Sequence, residues 1–387
     1  MTDLPPPSVL AHLTDVHCHP TDAKEDGVPT KSMEQLQIRI CAMSSNQSDQ
    51  DHVKDLAIIF PDKVTPAFGH HPWFSHWIST ESSLSGVSND NGISEKEKHY
   101  RNLLLPHGNS DPSLETEFSK LLPQLPDPTP LSAIINTLSA NLSTFQSAML
   151  GEVGLDRSFR VPLDYLATPR ILTSFHIPLE HQLEVLEAQM GVSLEMGRNV
   201  SFHSVRCQLA TFEAFERMRK KWGEERWKKI SIDLHSCGFS KQGWIDLEVG
   251  RQILVSRTLM TALFSQKKHD NVFMSLSSVI NHKHPNFREL IAVCSPDRIL
   301  AESDYNDIDQ VTPQTWDIVK IIAEVRGWPL EMEWRDDPEL EEKDWGVVRR
   351  LERNWNRFKA GNYFSTATKR NRKVVDHTCA GPEAEEP

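Results

Sequence analysis

The chain lacks several features that mark other protein classes. Its six cysteines form no C-x-x-C pair, so neither a disulfide framework nor a zinc finger is indicated, and a reducing compartment is expected. No apolar run approaches the roughly 20 residues that cross a membrane. The short, proline-rich start "MTDLPPPSVLAHL" does not have the order of a signal peptide. We therefore expect a soluble protein of the cytoplasm or nucleus, with no membrane partner.

Positive charge is also scarce, because 42 Lys and Arg stand against 54 Asp and Glu, for a net charge of −12. This balance argues against broad electrostatic binding to nucleic acid. It does not exclude a nucleic-acid enzyme whose site charge comes from metal ions. At 387 residues and 38% hydrophobic, the chain can form one large domain or two ordinary ones, and no internal repeats are evident.

Short apolar runs that end in polar residues alternate with segments of helical periodicity. The runs are "LTDVHCH", "VTPAFGHHPW", "SAMLGEVGLD", "NVSFHSVR", "KKISIDLHS", "NVFMSLSSV" and "DRILAESDYN". Strand-then-helix order predicts a parallel sheet covered by helices, either doubly wound or closed into a barrel. Catalytic residues of such barrels lie at the carboxyl ends of strands, where the polar residues lie here. We therefore predict an α/β fold, a single (β/α)8 TIM-type barrel over residues 1–365.

Three segments depart from this alternation. Residues 75–143 are rich in Ser, Asn, Asp and Pro, which is typical of a long surface insertion, partly disordered, with one short helix. Residues 326–345 carry tryptophans and acids, and we expect them outside the compact core as a lid or a partner surface. Residues 366–387 are expected to be a disordered tail. Its "KRNRK" is either a solvated charge run, which is the commoner case, or a nuclear-import signal.

The stretch "LTDVHCHPTDA" places two histidines one residue apart. On a β-strand, residues i and i+2 project from the same face, so His17 and His19 would lie side by side. Two imidazoles in that position can bind one cation. The alternative is a polar pair on an exposed strand edge.

The other strand ends offer Glu152, His203, His235 and Asp304. Each has an ordinary explanation alone: Glu152 as a turn cap, His203 as a core histidine, Asp304 as a helix N-cap. In a barrel, however, four imidazoles and two carboxylates would meet at one mouth. Burying them is costly unless something holds them, and a pair of divalent cations would do so.

Several of these motifs resemble those of a known family. "TDVHCHP" resembles the D-x-H-x-H opening of the amidohydrolase-like metal barrels. "GEVGLD", "FHSVR", "LHSCGFS" and "ESDYN" are similar to the ordered landmarks of the TatD family of metal-dependent deoxyribonucleases, and "GHHPW" to its G-x-H-P element. The pattern is that of the fungal branch, and it runs from residue 14 to about residue 306.

The resemblance implies a two-metal site and a set of roles. His17, His19 and Asp304 would hold one metal, His203 and His235 the second, and Glu152 would bridge the two. The metals, which the ligand set leaves open among Zn, Mn and Mg, would activate a water and clamp phosphate oxygens. Asp304 and Glu152 would then be catalytic, with Asp304 also accepting the proton of the water.

Two further residues lie in landmark elements, and the chain departs from the family elsewhere. His71 and Arg206 would either contact a phosphate or be structural. Typical members read E-T-D-x-P where this chain has "ESDYN", and the basic, proline-containing stretch that follows in relatives is replaced here by the acidic "DIDQVTPQTWDIVK". These departures put DNA binding, rather than metal binding, in doubt.

Three functions are compatible with these residues. The leading one is two-metal hydrolysis of phosphodiesters, with DNA as substrate. The second is hydrolysis of an amide, a lactone or a small phosphoester; many such barrels use a modified lysine as bridging ligand, which "SAMLGEVGLD" does not offer. The third is a non-catalytic metal-binding scaffold. Because some fungal members of that family bind a helical-repeat cell-cycle protein, the resemblance also implies a protein partner on the insertion or the C-terminal region.

Overall fold

The computed structural model describes residues 4–22, 27–84, 93–105, 111–165, 167–249, 252–254, 263–265, 269–337 and 339–363. The expected disordered tail, with its "KRNRK", lies outside the described residues. Within the described ranges, every helix is too short or too polar to serve as a membrane span.

Eight parallel strands form the central sheet and follow one another in chain order. They are β1 (Thr14–Cys18), β2 (Arg39–Met43), β3 (Val64–Phe68), β4 (Met149–Asp156), β5 (Val200–Val205), β6 (Ile232–Leu234), β7 (Val272–Leu276) and β8 (Ile299–Ala301). Each strand pairs in parallel with the next. Most strand residues are buried on both faces, as expected when helices cover the outside and side chains fill the inside.

The sheet curls until its last strand meets its first. The backbone N–H of Asp304 donates to the carbonyl of His17 (3.0 Å), and that of His19 donates to the carbonyl of Tyr305 (2.9 Å). These bonds lie just beyond the carboxyl end of β8. The prediction of a TIM-type barrel is therefore confirmed.

Asp15, in β1, also stabilises this junction of the first and last strands, which we call the seam of the barrel. Its buried carboxylate accepts hydrogen bonds from the backbone N–H of Ser303 (3.0 Å) and from the hydroxyl of Thr315 (3.0 Å). It also accepts from the backbone N–H of His17 (3.1 Å). One side chain thus connects the first strand, the turn after the last strand and the helix that follows it.

Fourteen α-helices surround or extend the barrel. They are α1 (Pro7–Leu10), α2 (Thr30–Gln35), α3 (Gln50–Ile59), α4 (Glu81–Leu84), α5 (Glu95–Leu104), α6 (Pro112–Leu121), α7 (Leu131–Thr144), α8 (Leu179–Met196), α9 (Gln208–Trp227), α10 (Lys241–Val249), α11 (Ser278–Asn281), α12 (Phe287–Val293), α13 (Ile308–Arg326) and α14 (Val347–Ala360), counted over the described ranges. Helices α8 and α13 end at Gly197 and Gly327, whose left-handed conformation suits glycine.

The segment 75–143 contains far more helix than the sequence indicated. Helices α5 and α6 pack Tyr100, Leu104, Phe118 and Leu121 into a hydrophobic cluster separate from the main core. Helix α7 packs against β3 and α8, and so belongs to the barrel. The expectation of a single short helix was wrong, because Ser and Asn on the outer faces mask apolar residues at helical spacing.

The tryptophan-bearing segment 326–345 also differs from its prediction. Trp328, Leu330 and Trp334 pack against the main core. The Trp334 ring stacks on His12 at 3.5 Å between centroids, and His12 comes just before β1. The segment therefore reaches the amino ends of the strands, opposite the mouth, and is not a lid over it.

Gly154, the second glycine of "GEVGLD", is required by the close approach of β4 to β5. Its φ is +153°, and a Cβ there would lie 2.0 Å from the carbonyl oxygen of His203. Since backbone atoms cannot move aside locally, Gly154→Ala should lower the free energy of unfolding by about 2 kcal/mol or more. Denaturant unfolding checks this. Gly238→Ala is the control, because a Cβ at Gly238 meets nothing within 4 Å. Equal stability of the two variants would contradict the assignment.

Candidate metal centre

The barrel brings all six expected ligands to the carboxyl ends of its strands. They are His17 in β1, His19 just after it, Glu152 in β4, His203 in β5, His235 after β6 and Asp304 after β8. All but His19 and Asp304 are buried. Because the ligands come from five strands, only the barrel can assemble them.

The carboxylate of Glu152 lies between two pairs of histidines. Its Oε2 is 3.1 Å from Nε2 of His19 and 3.5 Å from Nε2 of His17. Its Oε1 is 2.8 Å from Nδ1 of His203 and 2.6 Å from Nε2 of His235. Oε2 therefore faces His17 and His19, while Oε1 faces His203 and His235 together with His71 at 3.1 Å, so the two oxygens of the carboxylate could each bind a different ion.

Asp304 completes the group on the His17 side. Its Oδ1 lies 3.7 Å from Nε2 of His17 and 3.6 Å from Nε2 of His19, and the two nitrogens are 3.0 Å apart. Ligand atoms that share one ion at about 2.1 Å lie roughly 3 to 3.5 Å from each other. The two nitrogens fit a common cation, and Oδ1 of Asp304 lies slightly farther from them than this range. The side chains of His19 and Asp304 are 13% and 16% exposed, which makes this the open edge of the site.

The charges of the site suit divalent cations. Burial opposes ionisation of Glu152, but His71, His235 and His17 outweigh it and hold its pKa well below the ordinary value. The pKa of Asp304 is likewise lowered: burial opposes this, and the neighbouring His17 and His235 prevail. Both carboxylates thus remain anionic and could bind a cation.

The histidines of the centre differ in pKa, and therefore in whether a ring nitrogen is free to bind a metal. Burial, helped by His235, lowers the pKa of His17 to about 3, so that it stays neutral. Burial also works against protonation of His19 and His203, yet neighbouring carboxylates raise both pKa values to about 9. A metal must displace those protons, so its binding should release protons and strengthen as the pH rises. The donor set of imidazoles and carboxylates fits metal ions of the zinc and manganese type.

His71, expected to contact phosphate, lies against the ligands. Its Nε2 is 3.1 Å from Oε1 of Glu152, and its Nδ1 accepts from the backbone N–H of Trp73 at 3.1 Å. Because burial lowers its pKa to about 4, the ring is neutral, and a neutral ring that accepts at Nδ1 carries its proton on Nε2. The hydrogen bond at Nδ1 favours a donor role for Nε2, which also lies close enough to Glu152 and His203 for the three residues to share an ion.

A family model described as "TatD related DNase" matches residues 14–334 of the chain. The chain belongs to the TatD family. It is 27% identical to the Cut9-interacting protein scn1 of Schizosaccharomyces pombe over 338 residues, which is 83% of this chain and 95% of scn1. It is 28% identical to the uncharacterised deoxyribonuclease YMR262W of Saccharomyces cerevisiae over 310 residues, which is 78% of this chain and 85% of YMR262W.

A solved TatD structure has the same fold. The crystal structure of YJJV, a TatD homologue of Escherichia coli, aligns with a TM-score of 0.52 at 14% sequence identity, over 91% of this chain and 99% of that one. At this identity the likeness concerns the fold alone. It agrees with the barrel of this TatD protein.

Arg206, the other residue expected to touch phosphate, lies at the edge of the centre. It follows β5, its side chain is exposed and its φ is +53°. The described part of the structure records no contact between Arg206 and the six ligands. Its position leaves the guanidinium in solvent beside the mouth.

Asp156 and Ser201 support the ligands and were not foreseen from the sequence. The hydroxyl of Ser201 lies 2.7 Å from Nδ1 of His17, which turns Nε2 toward the centre. Oδ2 of Asp156 lies 3.4 Å from Nε2 of His203, which leaves Nδ1 of that ring for the centre. Such partners fix the orientation of a ligand imidazole. The last letter of "GEVGLD" was the available signal for Asp156, and nothing in the sequence pointed to Ser201.

A second unforeseen group lies beneath Asp304 in this TatD protein. The hydroxyl of Ser275 lies between the buried carboxyl groups of Asp233 (2.7 Å) and Glu302. One hydroxyl has one proton to donate, so one of the two acids must itself be protonated. Burial, together with the charges of Asp304 and Asp233, raises the pKa of Glu302 well above the ordinary value, which makes Glu302 the neutral member.

Proposed function

We propose that this TatD protein is a metal-dependent phosphodiesterase with DNA as its substrate. The observation that carries the proposal is Glu152, whose two oxygens face separate histidine pairs, as a two-ion site requires. The family model and the name of the relative YMR262W support nuclease chemistry. Two bound divalent ions would polarise the phosphate and make a water nucleophilic.

The residues of the chain then position the reactants. Asp304, at the open edge, is the proton acceptor for the attacking water. The hydroxyl of Ser236 lies 3.2 Å from its Oδ2 and 2.6 Å from Oε1 of Glu302, and Oδ1 faces His17 and His19. His71 directs its Nε2–H into the centre, where it can donate to a phosphate oxygen, and Arg206 supplies charge at the rim.

His71→Leu tests the role of His71. The variant loses a hydrogen bond to a charged group, so kcat/KM on an oligonucleotide should fall about 10- to 100-fold. Metal content should not change, since Nε2 of His71 carries a proton and does not ligate. Steady-state kinetics and metal analysis measure both effects. His203→Leu is the matched comparison and should lose metal; loss of metal from His71→Leu as well would make His71 a ligand.

The function itself is tested by metal analysis of the purified protein and a hydrolysis screen over DNA, RNA, small phosphoesters, esters and amides. Metal-dependent cleavage of DNA is the expected result. Turnover of a small ester or amide with no cleavage of nucleic acid would favour the second hydrolase class. Bound metals without any turnover would favour a scaffold.

A protein partner is a second candidate function, favoured by the relative scn1, which is named as interacting with Cut9 and of which 95% aligns with this chain. We propose the counterpart of Cut9 as the partner. Titration calorimetry between the two purified proteins tests it, and the Glu152→Ala variant would show whether binding needs the metal centre. No heat of binding with either form would overturn this candidate.

A further inference from the structure

Two buried glutamines lie on one side of helix α8. Gln182 and Gln189 are 2% and 1% exposed, and two helical turns separate them, which places them on the same face. Leu186, Met190 and Leu194 of α8 belong to the main core and already pack the helix against the barrel. A buried amide is unfavourable unless its oxygen and its nitrogen both find partners. Both glutamines find them in backbone groups at the mouth of the barrel.

Gln189 binds the backbone of His70, which lies beyond the last residue of β3. The N–H of His70 donates to Oε1 of Gln189 at 2.8 Å, and Nε2 of Gln189 donates to the carbonyl of His70 at 3.3 Å. The next residue is His71, whose own N–H donates to the carbonyl of Ser45 at 2.9 Å. Gln189 thereby fixes the segment that holds His71 at 3.1 Å from Glu152.

Gln182 binds the backbone of Asp156, the last residue of β4, in the same way. The N–H of Asp156 donates to Oε1 of Gln182 at 2.8 Å, and Nε2 of Gln182 donates to the carbonyl of Asp156 at 2.9 Å. The carboxylate of Asp156 lies 3.4 Å from Nε2 of His203. Gln182 thereby fixes the residue that orients one of the expected metal ligands.

Each of these amides holds both backbone groups of a single residue. Such a residue cannot turn its peptide planes or shift along the strand without breaking a hydrogen bond, so its orientation is fixed as well as its distance. A displacement of about 1 Å at a reacting group can lower a rate about 10²-fold. Anchors of this kind therefore matter to the centre, although each acts from one residue or one side chain away.

We propose that Gln189 and Gln182 are positioning residues of the metal centre. Gln189 acts through His71, and Gln182 acts through Asp156 on His203. For catalysis the inference rests on the proposed phosphodiesterase function, and for metal binding it rests on the geometry of the ligands alone.

Gln189→Met tests the first role, because methionine keeps the length of the side chain and removes the amide. At saturating metal, kcat/KM on an oligonucleotide should fall about 10-fold, as for other residues that hold a site residue in place. Gln189→Glu keeps the volume and the acceptor for the N–H of His70, so its kcat/KM should lie between those of the wild type and Gln189→Met. It also serves as the test if the methionine variant does not fold.

Asn271→Leu is the matched control. The buried amide of Asn271 also binds backbone, since it donates to the carbonyls of Trp227 (2.9 Å) and Ile230 (3.0 Å), but it lies just before β7, at the opposite end of the barrel. Both Gln189→Met and Asn271→Leu should lower the melting temperature, whereas only Gln189→Met should lower kcat/KM. Equal values of kcat/KM in the two variants would make Gln189 a residue of the fold alone.

A double-mutant cycle shows which residue Gln189 acts through. In a His71→Leu background, Gln189→Met should lower kcat/KM by no more than about twofold further, because changes along one path are not additive. A further loss of about 10-fold in that background would overturn the path through His71.

Gln182→Met is tested without any substrate. Asp156 would no longer hold His203 in place, so the dissociation constant for Zn²⁺ should rise about 10-fold. Titration calorimetry with Zn²⁺ on the metal-free protein measures it, and Asn271→Leu should keep the wild-type value. An unchanged dissociation constant in Gln182→Met would overturn the role of Gln182.

The outcomes separate this inference from the function beneath it. If the wild type binds two metals and cleaves no oligonucleotide, the phosphodiesterase is overturned, and the kinetic role of Gln189 with it, while the Zn²⁺ titration still decides the role of Gln182. If the wild type cleaves DNA and both glutamine variants match it in kcat/KM and in Zn²⁺ affinity, only the positioning roles are overturned.

Discussion

Asp304→Asn should lower the rate of metal-dependent phosphodiester hydrolysis by at least about 10²- to 10⁴-fold, the contribution typical of a positioned general base. The amide keeps the size of the carboxylate but loses its charge, and with it strong metal binding and proton acceptance. Asp304 also lies at the open edge of the centre, where its side chain is 16% exposed. Initial rates on single- and double-stranded DNA with Mg and Mn measure the effect.

The stability of Asp304→Asn without added metal should change little, because two effects of its charge oppose each other. Against the effect of burial, His17 and His235 hold the pKa of Asp304 below the ordinary value, which favours the carboxylate in the folded protein. The same charge, after burial, keeps the pKa of Glu302 well above its ordinary value, which is unfavourable. Thermal unfolding checks this, and Asp307→Asn is the matched control, because Asp307 is an exposed N-cap of α13 and asparagine caps equally well. Full activity in Asp304→Asn, or equal losses in both variants, would contradict the role.

Glu152→Ala should remove both metals rather than one. Each oxygen of this carboxylate faces a different histidine pair, so its loss leaves neither group with its anionic ligand. Metal content after gel filtration should fall from two ions per chain to fewer than one, and activity should fall by about 10³-fold or more. Metal analysis by mass spectrometry and DNA cleavage measure the two effects.

Glu152→Gln is the control that separates the loss of charge from the loss of side-chain volume. It keeps the volume but not the charge, so it should resemble Glu152→Ala in metal content while its fold is undisturbed by circular dichroism. Two tightly held ions and full activity in Glu152→Ala would reduce Glu152 to a residue of the β4 turn.

Much of the barrel could be predicted because most strands are apolar runs followed directly by polar residues. Six of the eight barrel strands end in, or lead into, a histidine or a carboxylate after an apolar run, and β7 is an apolar run followed by serines. β2 was missed because its residues Arg39–Met43 begin with an arginine and lead into Ser44 and Ser45, with no histidine or carboxylate at the strand end. The insertion helices were missed for the opposite reason, because abundant polar residues concealed a few well-spaced apolar ones.

From the sequence, only those site residues could be predicted that belong to a local motif. The sequence also allowed Asp304 to be a helix N-cap and Glu152 a turn cap. In the structure, nearby residues have these roles: Asp307 caps α13, and Asp156 caps the turn after β4. The supports of the ligands arise from pairs far apart in the chain, such as His17 with Ser201, separated by 184 residues. No local pattern encodes such a contact.

A metal ion bound beside Asp304 would join the same two parts of the chain that the hydrogen bonds of Asp15 connect. The hydrogen bond from Ser303 to Asp15 spans 288 residues, so the unfolded polypeptide loses much conformational freedom when these two points meet. An ion held by His17, His19 and Asp304 would join the same two points. Part of the binding free energy of the ion would then stabilise the closed barrel against unfolding. Without metal, the junction between β1 and β8 should therefore become less stable, in addition to any loss of hydrolysis rate.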